Sequence, residues 1–204
     1  MFIPPMFKCR SAADAKSYIK HNGFATLVAT IKGKNIASHV PLYYVKKSDD
    51  QEFLYGHVSA ANELRHALDG STQLLAIFME HHAYISSSWY DHVNVPTWNY
   101  TAVHIYGTAR VLKEEELLHS IDALVRIYEA PSEKPFHSSQ MTHKELHAHL
   151  NGLVGFEMKI ENVEAAWKLS QNRDDKNYFE IIRRLRERDD QLSHGIADEM
   201  ERLR

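Results

Sequence analysis

Apolar runs of strand length, separated by turn-forming residues, dominate the chain from Phe24 to Met79. Phe24 to Thr30 reads as a buried strand and Asn35 to Tyr44 as the next, joined by the turn Ile31-Lys32-Gly33-Lys34. After the polar turn Lys46 to Gln51 comes a third strand, Glu52 to His57. Asn62 to Leu68 reads as a short helix ended near Gly70, and Thr72 to Met79 as a further strand. Ala102 to Leu112 is a long strand with Val103, Ile105, Ala109 and Val111 on one face. The period then lengthens. Leu117, Ile121, Leu124, Val125 and Tyr128 recur at helical spacing, which predicts a helix over Lys113 to Glu129 with acids at its N-terminal end. Met141 to Leu150 is another helical piece. Val154 to Ile160 and Val163 to Leu169 are expected to pair as a hairpin, and Asn177 to Arg188 forms an amphipathic helix on Tyr178, Ile181, Ile182 and Leu185. Near the start, Ser11 can cap a short helix with Asp14 at its third position. Strands interrupted by helices, without strict alternation, argue for an antiparallel barrel with helices outside it.

Composition narrows the class. A chain of 204 residues with 44% hydrophobic and 25% charged residues is ordinary for a water-soluble globular domain. The expected division is a barrel domain over residues 1–173 and a helical appendage over 174–204. A net charge of −3 supplies no field favouring nucleic acid or an anionic membrane. The best basic segment, Arg183 to Arg188, is interleaved with leucine and glutamate and reads as a solvated helix face, so direct DNA contact is weakly supported. Pro4 and Pro5 break any leader-like run, and no segment has the roughly 18 apolar residues of a membrane span, so a cytoplasmic protein is expected. The single Cys9 cannot form an internal disulfide and has no catalytic surroundings.

Chemistry concentrates elsewhere. Tyr84 to Gly107 holds Trp89, Trp98, four tyrosines and two histidines, and Val95-Pro96-Thr97-Trp98-Asn99-Tyr100 lacks apolar alternation, as a loop over a site would. Trp167-Lys168-Leu169-Ser170-Gln171-Asn172-Arg173 ends a strand-like run with a polar stretch. Tyr55-Gly56-His57-Val58-Ser59-Ala60-Ala61-Asn62 turns a strand into a helix, and Ser38-His39-Val40-Pro41-Leu42 is a fourth cluster. Together with Met1-Phe2-Ile3-Pro4-Pro5-Met6-Phe7, these runs resemble the PaiB family, bacterial proteins with an FMN-binding split-barrel fold. The family pattern has Gly-Pro before His82-Ala83-Tyr84-Ile85-Ser86 and a proline within it; this chain has Glu80-His81 and Ser87 instead.

The resemblance implies a mainly β fold with flanking helices, a six-stranded antiparallel split β-barrel, a homodimer and an FMN cofactor. It also implies a negative transcriptional regulator. FMN needs hydroxyls, amides and a cation for its phosphate, a flat wall for its ring, and donors at the ring edge. His57, Ser59 and Asn62 are candidates for the phosphate, with His39 adding a charge or hydrogen bond; the alternative makes Asn62 a helix cap and His39 and His57 ordinary barrel histidines. Thr97, Trp98 and Asn99 are candidates for the wall and edge, or else a packed loop. Lys168, Ser170, Gln171 and Arg173 complete the set, or else form a polar loop with Arg173 in a structural ion pair. Two other functions stay open: a flavin-dependent oxidoreductase, with Tyr100, His104 or His39 as proton donor, and a haem-binding split barrel. His143 and His147 share a helix face, but neither zinc-protease pattern surrounds them, so no metal is expected. Gly-rich phosphate loops and a serine nucleophile elbow are absent, which sets aside dinucleotide-binding, P-loop and α/β-hydrolase enzymes.

Overall fold

The computed structural model describes residues 1–204, apart from the side chain of His143. Its strands are β1 (Phe24–Ile31), β2 (Lys34–Lys46), β3 (Glu52–Ser59), β4 (Asp69–Phe78), β5 (His82–Ile85), β6 (Thr97–Val111), β7 (Leu153–Lys159) and β8 (Asn162–Lys168). The helices are α1 (Ala12–His21), α2 (Glu114–Glu129), α3 (His143–Leu150), α4 (Asp175–Arg186) and α5 (Gln191–Leu203). In the sheet β4, β1, β2, β3, β7 and β6 follow one another, and β4 also pairs with β6. That closing pair makes a six-stranded barrel, to which β5 and β8 are added, each on β6. The expected split-barrel fold is therefore the observed one.

Two expectations change. β8 pairs with β6 and not with β7. The reason lies in the connection: Ile160 N–H donates to Glu52 O at 2.9 Å and Glu161 N–H to Tyr106 O at 3.0 Å, so the chain is tied to β3 and β6 before a hairpin could close. The second change is at the long strand. β6 begins at Thr97, so Trp98-Asn99-Tyr100 is strand and not loop, with Tyr84 opposite Trp98 and His82 opposite Tyr100. Polar Asn99 points inward and Trp98 outward, the reverse of the usual alternation, which hid the strand. The stretch 174–204 holds a second helix, α5, beyond the one read over Asn177 to Arg188; Asp190 caps it through a bond from Ser193 N–H, and it buries Ile196, Ala197 and Met200.

By contacts the chain forms two compact units, one of Met1–Asn22, Phe78–His104 and Val163–Arg204, the other of Gly23–Ile77 and Ile105–Asn162. In the first, α4 and α5 bury Tyr178, Ile181, Leu185, Ile196 and Met200 together with Ala83, Ile85 and Leu169. Each of the isoleucine, leucine and methionine side chains contributes about 1.5–3 kcal/mol by leaving water. In the second, inward-facing Leu27, Leu42, Leu54, Leu74, Phe156 and Met158 are essentially inaccessible. Gly107 lets β6 approach the chain closely there: a Cβ at that position would lie 1.8 Å from the Lys159 carbonyl oxygen. The same unit carries a buried acid, Glu157, whose carboxylate accepts from Lys47 Nζ at 2.8 Å, Arg110 Nε at 2.7 Å and the Tyr55 hydroxyl. Among the described residues no helix is long and apolar enough to cross a membrane.

Candidate functional site

Of the candidates in the second unit, His57, Ser59 and Asn62 follow one another along the end of β3 and the turn after it, while His39 lies on β2. Ser59 Oγ accepts from Ala61 N–H at 3.3 Å, and Asn62 N–H donates to Ser59 O at 2.9 Å, which makes the tight turn after the strand. Asn62 then caps a single 3-10 turn, Glu63–Ala67, through a bond from Leu64 N–H to its Oδ1 at 2.9 Å. Its amide nitrogen reaches across and donates to Ser38 Oγ at 2.8 Å. His39 is exposed on β2, with Nδ1 3.0 Å from Thr26 Oγ1. His57 is half-buried, and burial pushes its imidazole below the ordinary histidine value, so it is neutral at physiological pH. Two residues outside the expected set join this turn. Ser38 accepts the Asn62 amide, and Arg65 donates from Nη1 to Ala60 O at 2.7 Å, which brings a guanidinium to the turn. The signal for Arg65 was its place three residues after Asn62, one helical turn on.

In the first unit the two remaining clusters come together. Lys168 Nζ donates to Thr97 Oγ1 at 2.6 Å, and Ser170 Oγ donates to Asn99 Oδ1 at 3.0 Å. Sequence separation of 71 residues is bridged twice by these parallel contacts. Asn99 is fully buried, its Nδ2 3.6 Å from Met200 Sδ, whereas Trp98 is 52% exposed and packs its ring edge-on against Tyr84. Gln171 folds back on its own loop: Oε1 accepts from Leu169 N–H at 2.8 Å and Nε2 donates to the Trp167 carbonyl. Ser170 sits at φ 59°, a left-handed conformation that costs an L-residue roughly 1–2 kcal/mol. The Arg173 guanidinium lies 5.1 Å above the Tyr90 ring centre, a cation–π contact in place of the ion pair considered from the sequence.

Lys168 is the most telling of these groups. Burial pushes its ammonium below the ordinary lysine value, and it has one hydroxyl partner for three donors. Among the described residues of the same unit, His82 Nδ1, Tyr90 Oη and Asn94 Nδ2 are also buried without partners. A half-buried, under-bonded cation calls for an acceptor such as a phosphate oxygen or a ring carbonyl. The donor set present fits FMN.

His147 Nδ1 is 2.7 Å from Glu114 Oε1; the side chain of His143 lies outside the described residues. Among the described residues no group of three or more His, Cys, Asp or Glu could hold a metal ion. The arginines of α4 are largely occupied: Arg183 pairs with Glu180 and Glu187, Arg184 with Glu180, and Arg186 with Asp198 and Glu201.

Known proteins agree with this picture. Residues 1–162 match the family described as "Putative FMN-binding domain". The chain is 39% identical over 201 residues to Protease synthase and sporulation protein PAI 2 of Bacillus subtilis, covering 98% of this chain and 97% of that one. Its fold is similar to the FAD and heme binding protein of Mycobacterium smegmatis (TM-score 0.61, 15% identity, 84% of this chain and 78% of that one). It is equally similar to the flavocytochrome Anf3 of Azotobacter vinelandii (TM-score 0.61, 14% identity, 85% and 75%). An inward polar pairing on a split barrel, and a family match over most of the chain, lead to one conclusion: the chain belongs to the PaiB family of FMN-binding split-barrel proteins.

Proposed function

We infer that this protein is a homodimeric flavin-binding regulator in which Lys168 and Thr97 meet an acceptor on FMN. The observation that carries the reading is the half-buried Lys168 ammonium with a single hydroxyl partner. When bound, FMN supplies a group that can be reduced and reoxidised. The chain's own residues hold and tune it. Thr97 fixes the direction of the ammonium, Ser170 and Asn99 fix the loop that follows it, and exposed Trp98 offers a flat apolar wall. Within the second unit, taken by itself, Ser59, Asn62, His39 and His57 carry chemistry that suits hydrogen bonding to a phosphate, and Arg65 adds a cation. Gln171 orders the loop through its own backbone bonds, and Arg173 braces it on Tyr90.

Dimerisation is supported by the apolar surface of the first unit. Val93, Val95, Trp98 and Tyr84 are all exposed, and a second copy would cover them. The regulatory reading draws on the relative named as a protease synthase and sporulation protein. Because the arginines of α4 spend their charge on neighbouring acids, the reading places control in the flavin's state and not in a basic DNA-binding strip. The test is titration of FMN and riboflavin, followed by flavin fluorescence. FMN should be quenched at much lower protein concentration, since riboflavin lacks the phosphate. Equal affinity for the two, or affinity for neither, would sink the assignment.

A further inference from the structure

A cavity of about 820 Å3 opens within the first unit, apart from the Lys168–Thr97 pair. Its walls come from the N-terminal segment, α1, the Glu80-His81 turn, Trp167, Gln171 and the end of α5. Trp167 and Lys168 are neighbours on β8, so strand alternation sends their side chains to opposite faces of the sheet. The volume falls in the range of small-molecule sites, roughly 300–1,000 Å3. The floor is aromatic: the Tyr18 and Trp167 rings meet edge to face with centres 5.5 Å apart. The Tyr18 hydroxyl is already saturated, accepting from Glu80 N–H at 3.0 Å and Thr101 Oγ1 at 3.2 Å and donating to Thr101 O at 3.2 Å. Tyr18 therefore offers its ring to a ligand and not its proton.

The charges on the wall identify the ligand class. Three acids and three bases line the cavity, besides histidines. Four of the six are committed to the protein. Asp14 accepts from Ser11 Oγ at 2.7 Å, Arg10 Nη2 donates to Leu203 O at 2.6 Å, and Arg202 pairs with Glu199 at 2.7 Å. Among the described residues the Lys8 ammonium and the Glu80 carboxylate are left without a side-chain partner. One free cation, one free anion and an aromatic floor in a single cavity complement a molecule with both charges and an apolar body. We propose that this cavity binds a free amino acid or dipeptide, with its carboxylate on Lys8, its ammonium on Glu80 and its side chain on Tyr18 and Trp167. The assignment stands independently of the flavin reading.

The test is saturation-transfer NMR on the full chain, with the twenty free L-amino acids in pools and the dipeptide Leu-Leu as probes. At least one probe should receive saturation. Its N-acetyl form, lacking the ammonium, and its C-terminal amide, lacking the carboxylate, should each bind at least tenfold more weakly. Glu80 and Lys8 are both exposed, so Glu80→Gln and Lys8→Met should fold and should each lower affinity for the same probe at least tenfold. Excess FMN should leave the signal intact. No transfer from any probe, equal binding of the blocked forms, unchanged affinity in both variants, or displacement by FMN would each overturn the proposal.

Discussion

Ser170 offers a sharp test of how the site loop is built. It is an L-residue at φ 59°, buried, with its hydroxyl donating to Asn99 Oδ1 at 3.0 Å. Replacing it with alanine keeps the backbone strain and removes the bond, leaving a fully buried amide oxygen unsatisfied. The expected cost is about 1–3 kcal/mol. Replacing it with glycine removes the same bond but relieves about 1–2 kcal/mol of left-handed strain. Glycine's greater freedom in the unfolded chain takes back about 0.5–1 kcal/mol. Ser170→Gly should therefore be destabilising, yet milder than Ser170→Ala by about 0.5–1 kcal/mol. Equilibrium urea unfolding of the three proteins measures this directly. An alanine variant as stable as the parent, or a glycine variant no better than alanine, would refute the idea that Asn99 holds Ser170 in a strained conformation.

Further outcomes follow from the same geometry. Burial alone would raise the Glu157 carboxyl, but Lys47, Tyr55 and Arg110 outweigh it and hold it below the ordinary value. A depressed folded-state value means stability that is complete above the unfolded value of about 4.5 and lost as pH falls through the lower folded one. Thermal midpoints should thus drop below that pH in the parent and drop less in Glu157→Gln, whereas parallel profiles would contradict the network. Glu157→Ala at neutral pH should cost about 1–3 kcal/mol, because Lys47 and the Tyr55 hydroxyl lose their acceptor while Arg110 keeps Glu116, and denaturant unfolding would show it. Gly107→Ala should yield little folded protein, since its Cβ would fall 1.8 Å from the Lys159 carbonyl oxygen; a normal circular-dichroism melt would argue against that close approach. Lys168→Met should weaken FMN binding by about 1.5–3 kcal/mol while leaving the apo melting temperature nearly unchanged or higher, and the reverse pattern would make Lys168 structural. Light scattering should give twice the chain mass of 23.6 kDa, and Trp98→Glu should shift it toward a single chain.

Much of the barrel was legible because its strands carry inward leucine, isoleucine and phenylalanine at a period of two. What stayed hidden was governed by contacts distant in the chain. Thr97 to Tyr100 breaks the apolar pattern because Asn99 is buried against Ser170, 71 residues away, and no local rule anticipates an inward asparagine. The β7–β8 hairpin looked natural from spacing alone, yet two backbone bonds from Ile160 and Glu161 to other strands redirect the chain. At the site, residue types were readable and partners were not. Lys168 and Thr97 both stood out as polar residues in aromatic surroundings, while their 2.6 Å contact emerged only in three dimensions. Arg65 stands one turn after Asn62, but that place shows a role only once its carbonyl partner at Ala60 is seen.

The central claim is that the chain holds FMN, and the absorption spectrum of gently purified protein tests it most directly. The account predicts flavin bands in the visible, with FMN as the chromophore released on denaturation, or the same spectrum after reconstitution of colourless protein with FMN. A Soret band without flavin bands, or protein that stays colourless in excess FMN, would contradict it.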